Sequence, residues 1–417
     1  MPASGSALVI GSGVIGVCSA YYLARDGWAV TLLDKGPVCA GSSYGNAGLV
    51  VPSHSMPLAA PGVWLRGLRW MLDPESPFYI RPRASLELAS WLWRFRGACT
   101  HAHVERALPV LRDLSFASLA LFRELAALPG LDFGFHQDGA LTVFRTAAGY
   151  DAAVREARRL GDAGIAAKVL DGAGARALEP SLRAEVVGAI QFPDDAHLVP
   201  DRFVRGLAGA AAAHGVRVRE GTEALGFRTE GRRIVAVETT RGELATDLVV
   251  LAAGAWSPEV GRALGVRLPI QAAKGYSVTW ERPPDGPRLP LLLGEGRAAV
   301  TPMGDVLRVA GTLELAGLDL SIDRRRVAAV VRAAASYVAG VERFTVREIW
   351  RGLRPCTPDG LPILGRPARV ENLIVATGHA MIGVSLGPIT GRLVADLAAG
   401  TPPRVSLDLL SPARFGA

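Results

Sequence analysis

Residues 7–36 read ALVIGSGVIGVCSAYYLARDGWAVTLLDKG, and few folds accommodate that order of signals. An apolar run at 7–10 leads into glycines at 11, 13 and 16, then a helix-patterned stretch, Gly27, a second apolar run and an acid. This order describes a strand, a helix and a second strand whose first turn holds phosphate. Gly11 permits the tight bend and Gly13 lets the backbone approach a pyrophosphate, while Gly16 lets a helix beginning near Val14 and Ile15 pack on the strand. The helix N-terminus then presents free N–H groups and a positive dipole end to the anion. Gly27 is expected to end the helix. Asp34, with Lys35 after it, closes the second strand, where a carboxylate accepts ribose hydroxyls and repels a 2′-phosphate. FAD and NAD both satisfy these residues, so the choice between them comes from the rest of the chain.

The 417 residues, 49% of them hydrophobic, suffice for two or three domains with large cores. No apolar run reaches the roughly 20 residues that span a bilayer, and the apolar start lacks a basic leader and a cleavage site. The expectation is a cytoplasmic protein. Arg66, Arg69, Arg94 and Arg96 accompany Trp64, Trp91 and Trp93, which leaves room for peripheral contact with the inner face of the membrane. The net charge of +7 is scattered: the longest basic run is the three arginines at 324–326, and no stretch interleaves basic with aromatic residues. Nucleic acid is therefore not an expected partner. Four cysteines (Cys18, Cys39, Cys99, Cys356) match neither a metal site nor a disulfide framework, and Cys18 reads as core.

Further along, residues 36–62 form a Gly-, Ser- and Pro-rich loop of a length that is usually functional. Residues 63–128 read as helical, with Leu68 among the apolar positions, 139–144 as a strand and 150–163 as a helix. A second unit near His197 predicts a helix ended by Gly215 and a strand through Val218, then strands at 234–240 and 243–253. The second of these turns at Ala253 and Gly254 into a helical segment containing Trp256, a position where open α/β sheets place ligands. Short strands dominate 267–346, and the chain ends on a buried strand, a glycine turn and a helix. The expectation is an α/β fold: a Rossmann-like nucleotide domain from 1–60, 195–262 and 349–417, interleaved with a mixed-sheet α+β domain from 61–194 and 263–348. Nicotinamide dehydrogenases usually keep the cofactor domain in one block, so this interleaving favours FAD.

Taken together, GSGVIG with Asp34, GSSYGNAGLVVP at 41–52, VVLAAGAWS at 249–257, and WRGLRPCTPDGLPILG with ATGHAMIGVSLGPITG near the end resemble one family. It is the FAD-dependent D-amino-acid oxidase superfamily, and within it the bacterial D-amino-acid dehydrogenases; the resemblance covers essentially the whole chain. It implies that Ser42, Ser43, Asn46, Ala47, Gly48 and Leu49 run along the pyrophosphate and beneath the flavin. The turn from Gly378 through Ile382, Gly383, Val384 and Ser385 would offer backbone N–H groups to the pyrimidine edge. Pro388 places the start of the last helix near this turn, with its dipole facing the flavin.

The same resemblance puts Arg354 where amino-acid-specific members bind the substrate carboxylate, a task that suits a guanidinium fork; Arg351 is the fallback. Covalent relatives carry their flavin-linking cysteine where this chain has Gly352, so the FAD is expected to be non-covalent. The implied reaction is oxidation of a D-amino acid to an imino acid, with a hydride passing from the α-carbon to the flavin. His379, His54 and Tyr276 are candidate pocket residues, Lys274 has no assigned chemistry and His197 stays undecided. The stretches PSHSMPLAAPGVW and DPESPFYIRP are similar to dehydrogenases of D-hydroxyproline, which favours a D-proline or D-hydroxyproline type of substrate. The electron acceptor implied is a quinone or another carrier, with O2 as the alternative. The competing readings are a broad D-amino-acid dehydrogenase, a glycine or sarcosine oxidase, an RNA-modifying flavoprotein and a flavin-bearing subunit without turnover.

Overall fold

The computed structural model describes residues 5–70 and 76–416. The side chains of Arg66, Leu68 and Arg69, and residues 73–75 of DPESPFYIRP, lie outside the described residues. The opening unit forms as read: strand Ser6–Ile10, helix Val14–Arg25 and strand Ala29–Leu33, the two strands parallel with Ile10 opposite Leu33. Gly27 adopts φ 93°, and the Trp28 N–H closes the helix end on the Leu23 carbonyl at 3.1 Å.

Distant segments complete this sheet. Its order is Ile363–Gly365, Leu373–Thr377, Leu248–Leu251, Ser6–Ile10, Ala29–Leu33, Arg217–Arg219, parallel except for the first of these. Helices Val14–Arg25, Pro200–Ala213 and Gly387–Ala399 bury one apolar core with Val9, Val204, Leu207, Leu393 and Cys18. The span 243–253 is not one strand. It breaks at Thr246 and Asp247 into Gly242–Ala245, part of a small antiparallel sheet, and Leu248–Leu251, in the parallel sheet. Asp247 makes the break because its carboxylate accepts the Ser6 N–H at 2.8 Å.

The second large sheet has nine strands. Val346–Cys356 forms an edge, beside Gln271–Glu281, Val306–Leu315 and Ala298–Met303, with the remaining strands beyond. Strand Val346–Cys356 runs across the expected boundary at 349, so Arg354 stands on this sheet. The helical reading of 63–128 resolves into Val63–Trp70, Leu86–Ala98 and His101–Ala126, interrupted by strand Phe78–Ile80, which pairs with the end of Val306–Leu315. None of the described helices is long and apolar enough to cross a membrane.

Candidate active site

A cavity of about 1240 Å³ runs from the C-terminal ends of the parallel strands to one face of the nine-stranded sheet. At its first end Gly11 has φ 108°, and a Cβ there would stand 2.5 Å from the Ala252 carbonyl oxygen, so only glycine turns the chain here. Gly13, Val14 and Ile15 line the cavity; Gly16 lies behind them against the Gly11 carbonyl. Ser43 Oγ accepts the Val14 N–H at 3.0 Å, which ties the long loop to the helix start. The helix thus opens onto the cavity with first-turn N–H groups that have no intrahelical partner.

Asp34 Oδ2 accepts from Ser12 N at 2.7 Å and Ser12 Oγ at 3.0 Å, and Oδ1 from Gly36 N at 2.9 Å. A carboxylate has about four acceptor positions, so one remains for a ribose hydroxyl. Lys35 lies 4.5 Å over the Trp256 ring, beside Ala253 and Gly254 on the cavity wall. Val218 does not join them. Its strand is the outer edge of the sheet and its side chain faces outward.

Along the middle, Ser42, Ser43, Asn46, Ala47 and Leu49 line the cavity, and Ser42 Oγ donates to the Leu353 carbonyl. Asn46 Oδ1 accepts the Gly48 N–H at 2.8 Å; Gly48 itself packs behind the wall, where its carbonyl accepts the Leu198 N–H. Two residues here escaped the sequence reading. Arg308 is buried and clamps the loop, Nη1 donating to the Tyr44 and Asn46 carbonyls at 2.9 and 3.1 Å and Nε to Thr279 Oγ1 at 3.1 Å. Burial pulls its pKa down, and the only sequence signal is a cation inside an apolar strand. Trp350 lines the cavity and lies over Gly45 and Gly352, filling the space a side chain at either would need.

At the far wall, His379, Ile382, Gly383, Val384 and Ser385 face the cavity, while Gly378, φ 78°, turns the chain behind them. Helix Gly387–Ala399 starts one residue before Pro388 and two after Ser385 on the cavity wall, so a second helix N-terminus lies beside the same space. These features fit FAD: a capped helix end and a glycine cradle suit a pyrophosphate, and the second helix end suits the negative charge that a reduced flavin gains.

Arg354 lines the cavity, its guanidinium lying across Gly275 and Nη1 donating to the Thr312 carbonyl at 2.7 Å. Among the described residues no carboxylate pairs with it, and burial lowers its pKa. His379 also lines the cavity. Its Nε2 stands 2.9 Å from Thr390 Oγ1 and its buried Nδ1 has no partner among the described residues; burial drops its pKa to about 3, so the ring is neutral. His54 opens to the cavity yet is enclosed by protein, and desolvation with the nearby Arg297 charge takes it to about 4.

Tyr276 corrects the sequence reading. Strand residues alternate faces, so Tyr276 turns away from the Gly275 side, and its hydroxyl donates to Glu314 Oε2 at 3.2 Å inside a cluster with Lys274. It touches the cavity edge but has no free hydroxyl for substrate. Arg351, three residues from Arg354, falls on that opposite face and donates to the Leu320 carbonyl. Cys356 borders the cavity, with burial pushing its thiol up to about 12. His197 lies behind the wall, its ring 5.3 Å from that of His136.

A sequence model of the family described as FAD dependent oxidoreductase, DAO, matches residues 6–397. D-amino acid dehydrogenase of Methylobacterium nodulans is 37% identical over 98% of this chain and 98% of its own length. The enzyme of that name from Granulibacter bethesdensis is 36% identical over 98% and 99%. Among solved structures, glycine oxidase from Geobacillus kaustophilus superimposes with TM-score 0.81 at 25% identity, covering 99% of each chain. L-proline dehydrogenase from P. horikoshii gives 0.79 at 20% identity over 100% of this chain and 98% of that one, a likeness of fold.

Proposed function

Since the chain belongs to the DAO family of FAD-dependent oxidoreductases, we propose that it dehydrogenates D-amino acids, with Arg354 gripping the substrate carboxylate. One observation carries this reading: a desolvated guanidinium faces the cavity with one carbonyl and, among the described residues, no carboxylate to balance it. A half-buried cation left in that state at a cavity wall awaits an anionic ligand. A bidentate grip on the carboxylate fixes which face of the α-carbon meets the cofactor. Bound FAD supplies the acceptor for the hydride leaving that carbon, and the substrate leaves as an imino acid.

The chain's own residues prepare that step. The apolar wall around Trp91, Phe95 and Leu313 disfavours a charged ammonium, so the substrate amine enters in its neutral form, having left its proton to bulk water. His379 and His54, held neutral, add no competing positive charge to Arg354. Non-covalent FAD is the expected state, because Trp350 covers Gly352 and the Cys356 thiol is kept protonated. Within the class we favour a D-proline or D-hydroxyproline type of substrate, on the resemblance of residues 52–64. The acceptor of the electrons is proposed to be a quinone or another carrier.

The test is anaerobic. Purified holoenzyme is mixed with D- and L-amino acids, cis-4-hydroxy-D-proline, glycine and sarcosine while the flavin absorbance is followed. Bleaching by D-substrates, fastest with the cyclic ones, is expected. A flavin that stays oxidised across the panel removes the amino-acid reading, and bleaching by sarcosine or glycine alone replaces it with an amine oxidase.

A further inference from the structure

Resting on the reading of Arg354 above, we propose that Gly275 and Thr312 form a positioning cradle that sets Arg354 for carboxylate before substrate arrives. The strands Gln271–Glu281 and Val306–Leu315 do not pair evenly. Lys274 is opposite Glu314 and Tyr276 opposite Gly311, so Thr312 and Leu313 together face the single residue Gly275. That is a β-bulge, a device that re-aims a group at a sheet.

Two costs meet at its first residue. Thr312 is β-branched yet holds φ 64°, a left-handed conformation that such residues avoid, and its Oγ1 is buried with no partner among the described residues. What the bulge achieves is the direction of the Thr312 carbonyl, which takes Arg354 Nη1 at 2.7 Å. Opposite it, Gly275 supplies the floor. A Cβ at 275 would overlap the Arg354 Nη1 and Cζ, so the guanidinium lies flat only because no side chain is there. Arg354 is opposite Ala273 on the adjacent strand, which puts it on the same sheet face as Gly275 two residues on. Floor and hook fix the plane of the fork at the border of the cavity. Pre-setting a long side chain removes the entropy that binding would otherwise cost.

Gly275 is thus a positioning residue, acting through Arg354. Gly275→Ala moves the flexible end of an arginine rather than backbone, so the fold and the flavin should persist while the fork tilts. The experiment titrates holoenzyme with pyrrole-2-carboxylate and its neutral carboxamide, reading the flavin spectrum, for wild type, Gly275→Ala, a deletion of Thr312 and Arg354→Met. Gly275→Ala is expected to weaken the carboxylate at least tenfold and leave the carboxamide within twofold. Deleting Thr312 leaves Leu313 alone opposite Gly275 and removes the bulge, so it should weaken the carboxylate several-fold, and it serves as the test if Gly275→Ala does not hold flavin. If Arg354→Met loses the carboxylate preference while both cradle variants keep it, the cradle is wrong and the Arg354 reading stands. If wild type shows no carboxylate preference, or Arg354→Met retains it, the Arg354 reading itself fails.

Discussion

The two faces of the strand pair Gln271–Glu281 and Val346–Cys356 carry cations in opposite states. On one face Lys274 donates to Asp319 at 2.8 Å and stands 3.8 Å from Glu314, which also meets Arg326 at 3.7 Å. Each charge of this buried cluster has an opposite charge within the protein. On the other face Arg354 has a carbonyl and a bare glycine. Lys274 is closed off by protein and Arg354 is half-buried at the cavity wall, and the two differ above all in completeness of pairing. A cation already neutralised leaves no charge for a ligand to answer, whereas the unanswered one is proposed to be kept for the substrate carboxylate.

The largest expected effect breaks the unanswered face. Arg354→Met should lower kcat/KM for a D-amino acid by about 1,000-fold, since truncating one side of a buried charged pair costs about 2–5 kcal/mol. Flavin content and melting temperature should stay near wild type; a drop of under tenfold would return Arg354 to an ordinary core arginine. On the answered face the damage should be of another kind. Glu314→Gln removes the charge between Lys274 and Arg326 and should cost about 3 kcal/mol of stability in urea unfolding of the holoenzyme, with substrate KM within twofold. A large KM change with unchanged stability would mean that the two faces do not divide the work as stated.

The contrast also explains what the sequence could show. The nucleotide turn was legible because its geometry is dictated locally: Gly11 needs its positive φ whatever the rest of the molecule does, and Gly27 and Pro388 punctuate helices in the same local way. The motif around Arg354 pointed to a residue that does line the cavity. Tyr276 was misjudged, and Arg308 and Trp350 were missed, because their roles depend on strand pairing. Which face Tyr276 takes follows from the register with residues 346–356, and Arg308 reaches the 44–46 loop only after the two sheets meet. The bulge at Thr312 has only a weak announcement in the neighbouring Gly311, since threonine is a normal strand residue.

Acid should separate the cavity side from the charge cluster. His379 is held at about 3 and His197 at about 4, both by burial, against an ordinary 6.5. The native state then binds fewer protons than the unfolded chain between these limits, so their stabilisation is complete above 6.5 and is lost as pH falls toward 4. Buried Asp195, raised to about 7 by desolvation, works the other way: its contribution falls as pH rises from 3.8 to 7. Asp319, held well below its ordinary value by the Lys274 hydrogen bond, contributes constantly across this window. Melting temperature followed from pH 7 to 4 should therefore decline less steeply in His379→Asn than in wild type, while Asp319→Asn lowers the whole curve without changing its slope. Parallel curves for wild type and His379→Asn would contradict the buried neutral imidazole.

The smallest expected effect is the most discriminating. Arg351 and Arg354 lie three residues apart in one motif, and by sequence either could meet a carboxylate. An odd spacing on a strand puts them on opposite faces, and Arg351 is spent on the Leu320 carbonyl at 2.7 Å. Arg351→Ala should therefore change kcat/KM by less than threefold, the loss being one partly exposed hydrogen bond worth about 1 kcal/mol at most to stability. Because the substitution removes the same charge as Arg354→Met from a position only three residues away, long-range electrostatics alone cannot produce a large gap between them. A gap of two to three orders of magnitude must come from which face of the sheet each guanidinium occupies, and equal losses would mean that the register placing Gly275 beneath Arg354 is wrong.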